Sequence, residues 1–487
     1  MGSDSSAPCL PADLATPCAL RPLVEELVPA PGAEEVFRRM CRLPHCLFLD
    51  SALEQPALGR YSFVAADPFD YLQLPADGSD GLAELGRRMA GWRTETVAGL
   101  PPFQGGAAGL LSYDLGRSLE QLPPPPLDEF QVPALAVGLY DVVVALDHLE
   151  RRAWIISQGL PELDPTRRRR RAARRLKEAR LRLTGKDAQT SCPRRQAQLP
   201  AVAPAELAPQ YPAEGPPGLT SNFSRAAYLQ AVRRAIDYVF AGDVFQVNLA
   251  QRLLFPARDD AVSLYLRLRR RNPAPFAGYF DLGPFQIVSA SPERFLKVSA
   301  GRVETRPIKG TCRRSDEPDA NRLAEHQLRL SQKDQAENVM IVDLLRNDLS
   351  RVCRPESVYV SQLCQVEAYQ YVLHLVSAVC GRLRDECTPI DLVRAAFPGG
   401  SITGAPKVRA MEIIAELEPT ARGAYCGSLG YLGFDGSLDL SILIRTITAG
   451  RGWWQAPVGG GIVAQSVPEQ EYQETWHKAE GLVRALV

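Results

Sequence analysis

Three glutamates and a lysine are the first residues whose spacing invites a chemical reading. Glu337 shares a helical face with Met340, Ile341 and Leu344, at offsets of 3, 4 and 7. A carboxylate on an apolar stripe is costly unless a cation meets it. From spacing alone, the better explanation is that Glu337 lies at the edge of the stripe. Glu471, Glu474 and Lys478 also share one face, at i, i+3 and i+7. An exposed Glu–Lys pair explains this, worth about a few tenths of a kcal/mol. So does a hard cation that takes a glutamate from each of two helices, since Mg²⁺ is held by one or two carboxylates plus substrate oxygens and water. Spacing does not choose between them. Two glycine-rich stretches complete the set: Pro398-Gly399-Gly400-Ser401-Ile402-Thr403-Gly404-Ala405-Pro406-Lys407, and Gly459-Gly460-Gly461. Pro406 suits a first helical position, so amides there could bind an anion. Neither stretch fits the P-loop or the Rossmann pattern.

The elements that must position these residues are legible in outline. Ser331 with Asp334 three residues on starts a helix near 332–347, and helical patterns recur at 406–417 and 468–486. Ser224 caps a helix carrying Tyr228, Val232 and Ile236, and 244–249 is strand-like. Short strands follow at 278–282, 285–289, 295–298 and 303–305. Earlier in the chain, 46–50 and 61–65 read as strands, and 142–146 with 154–157 as a hairpin. Asp164-Pro165 opens a helix with Ala172, Leu176, Ala179 and Leu183 on one face, closed by Gly185. Its arginine run, 167–171, has no aromatic interleaving and reads as a solvated face rather than a nucleic-acid patch. Residues 186–219, rich in Pro, Ala and Gln, read as a linker between domains at 15–185 and 220–487. Without regular β–α alternation, the class is α+β.

Bulk properties narrow the function. The 487 residues carry 56 basic and 56 acidic side chains, so nothing global attracts nucleic acid or an anionic membrane. Eleven cysteines, an odd number without C-x-x-C, suggest neither a disulfide framework nor a zinc site. Together with the lack of a signal-peptide pattern and of an apolar run long enough to span a bilayer, they point to a reducing cytoplasm. A loose myristoylation pattern at residues 2–6 carries little weight.

Several motifs resemble the chorismate-utilising enzymes, the family of anthranilate and aminodeoxychorismate synthase component I, with isochorismate and salicylate synthases as cousins. They are Gly242-Asp243-Val244-Phe245-Gln246-Val247-Asn248-Leu249, Ser289-Ala290-Ser291-Pro292-Glu293, Pro307-Ile308-Lys309-Gly310-Thr311, Ala336-Glu337-Asn338-Val339-Met340, the stretch 398–407, Tyr425-Cys426-Gly427 and 471–478. They follow the family's order across 220–487. Gly59-Arg60-Tyr61-Ser62 and 105–113 resemble its N-terminal half. The resemblance implies a large two-part β-sandwich core with helices outside. It implies Mg²⁺ on Glu337 and Glu474, with Glu471 and Asp334 as acidic neighbours. It implies that Gly310, Thr311, Tyr425, Arg445, Gly459, Gly460, Gly461 and Lys478 bind chorismate. Glu293 would be the general acid and His374 a neighbour of the C4 hydroxyl.

Two positions bear on the branch of the family. Anthranilate synthases resemble P-I-A-G-T where this chain has Pro307-Ile308-Lys309-Gly310-Thr311, and aminodeoxychorismate synthases carry the lysine. A buried lysine amine can be a nucleophile. The resemblance therefore implies amination of chorismate at C4 through a covalent Lys309 intermediate, toward 4-aminobenzoate and folate. Anthranilate synthesis is the alternative. Gln246 stands where isochorismate-forming relatives have a lysine base, and glutamine takes no proton. No Gly-x-Cys-x-Gly elbow is present, so ammonia is expected from a separate glutaminase subunit. Residues 49–51 and 272–276 match the family's tryptophan pocket, which leaves bound tryptophan open.

Overall fold

The computed structural model describes residues 21–54, 58–185, 199–314, 317–368 and 372–487. The pattern at residues 2–6 and the first part of the expected linker lie outside them. Short apolar runs punctuated by glycine and proline become strands of two large antiparallel sheets, one of 13 strands and one of 10. The sheets face each other across a core that includes Leu47, Phe63, Phe280 and Ile287 from the first, and Ala108, Leu110, Leu429 and Tyr431 from the second. Helices cover the outer faces. Ala33–Met40, Ala261–Arg271 and Pro468–Ala485 pack on the first sheet. Gln332–Ser350 and Pro389–Ala396 pack on the second, and Lys407–Leu417 packs against Gln246–Pro256 of the first. The expected α+β sandwich with helices outside is what forms.

The two halves of the chain are not separate cores. Leu47–Asp50 pairs with Phe276–Asp281, placing Asp50 opposite Ala277 and Leu47 opposite Phe280. Gly106–Leu111 pairs with Ser428–Gly433 in the other sheet. Each sheet is thus built from both sides of the 186–219 boundary, which divides the sequence but not the hydrophobic interior. Pairing between distant strands follows from burying both sheet faces, and local composition does not encode it.

Helix starts follow their caps. Asp164 accepts from the Arg167 amide at 2.8 Å and opens Pro165–Thr184. Ser224 opens Arg225–Phe240, and Ser331 opens Gln332–Ser350. Pro406 caps Lys407–Leu417 from just outside rather than forming its first turn. The arginine helix departs from a purely solvated face. Arg168 is buried and donates to the Gln158 carbonyl at 2.9 Å. Arg175 pairs with Asp67 at 2.7 Å and with the buried Asp141 at 3.3 Å. These arginines fasten the helix to the sheet. Among the described residues, no helix is long and apolar enough to cross a membrane.

Candidate active site

Lys309 lies on Ile308–Arg313, an edge strand of the second sheet paired with Val372–Arg382. Register shifts between Lys309, opposite Leu375, and Thr311, opposite His374. Gly310 makes that irregularity with a φ of 72°. A Cβ on Gly310 would come 2.9 Å from Leu328 and 3.0 Å from Asp334, so only glycine fits. The Lys309 ammonium donates to the Ser401 carbonyl at 3.3 Å and lies 3.9 Å from Glu337. Burial lowers its pKa, against the pull of Glu337. Burial thus favours the neutral amine, the form that can attack carbon.

Glu293 is 3% exposed, at the corner between Phe285–Ser291 and Arg294–Ser299. The Ser401 hydroxyl donates to its Oε1 at 2.7 Å. Burial nevertheless pushes its pKa up to about 7, so a proton is available near neutrality. Ser401 sits in the tight turn Gly400–Ile402 of the first glycine-rich stretch. Asn248 holds that turn, its Nδ2 donating to the Ser401 carbonyl at 2.9 Å. Behind it, the buried Arg422 donates to the Ile402 and Asn248 carbonyls at 3.1 and 3.2 Å and pairs with Glu418. Ser401 and Asn248 fall inside motifs quoted from the sequence, yet nothing local assigned them a part. Their role exists only where the turn meets two strands.

Glu337, Glu471 and Glu474 come together from Gln332–Ser350 and Pro468–Ala485. Glu474 Oε1 and Glu471 Oε2 lie 3.4 and 3.6 Å from where a Gly460 Cβ would stand, with Lys478 Nζ at 3.5 Å. Glu337 and Glu471 are buried from solvent to 13% and 4% side-chain exposure. Burial raises the Glu337 pKa. Burial would raise Glu474 too, but Lys478, 2.6 Å away, outweighs it and holds that carboxyl low. Lys333 bridges Glu471 at 3.2 Å and Glu337 at 4.0 Å. These are hard oxygen donors of the kind a divalent cation takes, and the buried Glu471 Oε2 has no hydrogen-bond partner. The donor chemistry therefore fits a metal. As they stand, no three His, Cys, Asp or Glu groups among the described residues are gathered as a metal cluster. The Lys333 ammonium lies between Glu471 and Glu337, and Lys478 pairs with Glu474.

The remaining sequence-named residues surround this centre. Arg445 donates to the Lys478 carbonyl and holds a left-handed φ of 54°. Cys426, beside the buried Tyr425, has a φ of 64°. Each such non-glycine conformation costs about 1–3 kcal/mol and concentrates at functional sites. Lys478 also donates to the Gly459 carbonyl at 2.9 Å. Gly461 leaves room for Gln246, whose Nε2 would lie 2.8 Å from an added Cβ. Gln246 is fully buried, with both amide atoms unpartnered. His374 is buried, and its pKa falls to about 4 through burial and the charge of Arg445. It is neutral at pH 7 and suits hydrogen bonding to substrate better than proton donation. Thr311 lies in the Lys309 strand. Residues 49–51 and 272–276 adjoin far from the carboxylates in sequence, with Leu53 N bonded to the Ala274 carbonyl at 3.2 Å. Asp50 there already accepts from Tyr265 at 2.8 Å and Arg269 at 2.6 Å.

A buried amine, a protonatable carboxyl and a basic rim around clustered carboxylates define an enzyme site for a small anion. The chain belongs to the chorismate binding enzyme family, whose model matches residues 59–484. It is 44% identical to anthranilate synthase component 1 of Thermus thermophilus, over 80% of this chain and 78% of that one. It is 39% identical to aminodeoxychorismate synthase component 1 of Klebsiella aerogenes, over 93% and 96%. Among solved structures, it matches anthranilate synthase component I from Streptococcus pneumoniae with a TM-score of 0.73 and 30% identity, covering 88% and 93%. Overall identity does not separate the two activities.

Proposed function

We propose that this chain aminates chorismate at C4 to give 4-amino-4-deoxychorismate. The observation that carries the reading is the buried Lys309 amine and the Glu293 acid, both held by Ser401. Arg445, Lys478 and the amides around Gly459–Gly461 would receive the two carboxylates of chorismate. The Lys309 amine forms a bond to C2, the ring double bond shifts, and the C4–O bond breaks. Glu293 gives its proton to the departing hydroxyl, which leaves as water. Ammonia then bonds to C4, the C2–Nζ bond breaks, Lys309 returns as the free amine, and the proton shed by the new C4 ammonium restores Glu293. Chorismate and ammonia become the amino product and water.

Glu337 and Glu474 would hold Mg²⁺, with Glu471 beside them. When bound, the ion supplies positive charge against the ring carboxylate. Ammonia would come from a separate glutaminase subunit, in keeping with the "component 1" in the names of the relatives. Pyruvate elimination toward 4-aminobenzoate and folate would fall to another protein. Free cysteines throughout the described residues agree with a cytoplasmic setting. Tryptophan between residues 49–51 and 272–276 is a subsidiary proposal, tested by whether tryptophan raises the melting temperature.

The second reading is anthranilate synthesis, favoured by the 44% identity to the Thermus enzyme. Incubating the chain with chorismate, Mg²⁺ and a high concentration of ammonium salt separates the two. Aminodeoxychorismate without stoichiometric pyruvate supports the proposal. Anthranilate with pyruvate overturns it.

A further inference from the structure

Lys333 has no part in the reaction above, yet it occupies the middle of the acidic site. It precedes Glu337 by one helical turn. Its ammonium donates to Glu471 Oε1 at 3.2 Å and stands 4.0 Å from Glu337 Oε1, linking the helices Gln332–Ser350 and Pro468–Ala485. The same Glu471 oxygen accepts from Ser466 at 2.7 Å. The other, Oε2, is buried and unpartnered, on the side where Glu474 and Gly460 meet. One oxygen of Glu471 is thus satisfied by a resident cation, and the second faces the carboxylate cluster with nothing on it.

We propose that Lys333 is a built-in counter-cation of this site, which holds Glu471 and Glu337 until a divalent cation displaces it. The inference rests on the reading of these carboxylates as a metal site. A divalent ion bound there would face the ammonium within a few ångströms, and like charges in a partly buried pocket repel strongly. Lys333 is the partner able to move, because its side chain is 43% exposed and can swing into water. The metal then binds only the fraction of molecules in which the lysine has swung out, and its apparent affinity falls by that fraction. The device keeps Glu471 and Glu337 paired with a cation before the ion arrives.

The test is Mn²⁺ binding to the full chain without chorismate, followed by calorimetry, for wild type, Lys333→Gln, Lys333→Arg and Arg329→Gln. Arg329, paired with Glu325 on the preceding helix, measures the effect of simply deleting a positive charge. Lys333→Gln should bind Mn²⁺ roughly fivefold or more tightly than both wild type and Arg329→Gln. Lys333→Arg, which keeps the charge, should stay within about twofold of wild type. Without metal, Lys333→Gln should melt below wild type, and saturating Mn²⁺ should erase the difference, because the lysine is then free in both states. Equal or weaker binding by Lys333→Gln overturns the proposal and leaves the metal site standing. No Mn²⁺ binding by any of the four chains removes the metal site and the proposal with it.

Discussion

Lys309 and Glu293 are held by opposite ends of one residue. The lysine ammonium donates to the Ser401 carbonyl at 3.3 Å, and the Ser401 hydroxyl donates to the Glu293 carboxyl at 2.7 Å. The Gly400–Ile402 turn therefore sets the distance between the proposed nucleophile and the proposed acid. Asn248 and Arg422 fix the turn from behind.

Ser401→Ala keeps the carbonyl and removes the hydroxyl. That hydroxyl bond lowers the Glu293 pKa, so its loss should raise it further. The alkaline limb of adduct formation, measured without ammonia, should move up by about one pH unit. An unmoved limb would mean that Ser401 does not act on Glu293.

Glu293 makes a stability prediction whose sign is fixed. Its folded pKa of about 7 exceeds the ordinary 4.5. Between these values the folded chain holds more protons than the unfolded one, so stability falls as pH rises from about 4.5 to about 7. Glu293→Gln removes that loss. It should be more stable than wild type at pH 8, by an amount on the order of 3 kcal/mol, with the gain vanishing toward pH 4.5. Urea melts across this range check it, and a gap independent of pH would contradict it.

Gly310→Ala should destabilise the chain by about 1–3 kcal/mol, because alanine must adopt a positive φ against Leu328 and Asp334. It should also slow adduct formation by on the order of tenfold or more, by re-aiming Lys309. Chemical denaturation and single-turnover kinetics measure the two effects separately.

Arg445→Lys should raise KM for chorismate by on the order of tenfold while changing kcat less, since the fork proposed to grip a carboxylate is lost and the charge remains. Steady-state kinetics at saturating ammonium distinguish this from a catalytic defect, in which kcat would fall alone.

Much of this arrangement was legible beforehand, for reasons that can be named. Asp164, Ser224 and Ser331 are short polar caps whose effect is local, so their helices start where the sequence says. The motifs carrying Glu293, Lys309, Glu337 and Glu474 are contiguous, and the fold brings these residues to one place. Ser401, Asn248 and Lys333 escaped because their partners are remote in sequence: a turn against two strands, and a lysine against a helix far along the chain. The shared sheets escaped for the same reason. The pairing of Leu47–Asp50 with Phe276–Asp281 is chosen by the burial of both faces, not by any feature of either strand. Arg168 looked like solvated charge because a run of arginines does not reveal which member meets a buried carbonyl.

The central claim is that Lys309 bonds to the substrate ring. Mix the chain with chorismate and Mg²⁺ in the absence of ammonia, quench in acid, and weigh the intact protein. The account predicts a species heavier by chorismate less one water, located on Lys309 by peptide mapping and missing from Lys309→Ala. The same adduct on Lys309→Ala, or its placement on another residue, would contradict the account.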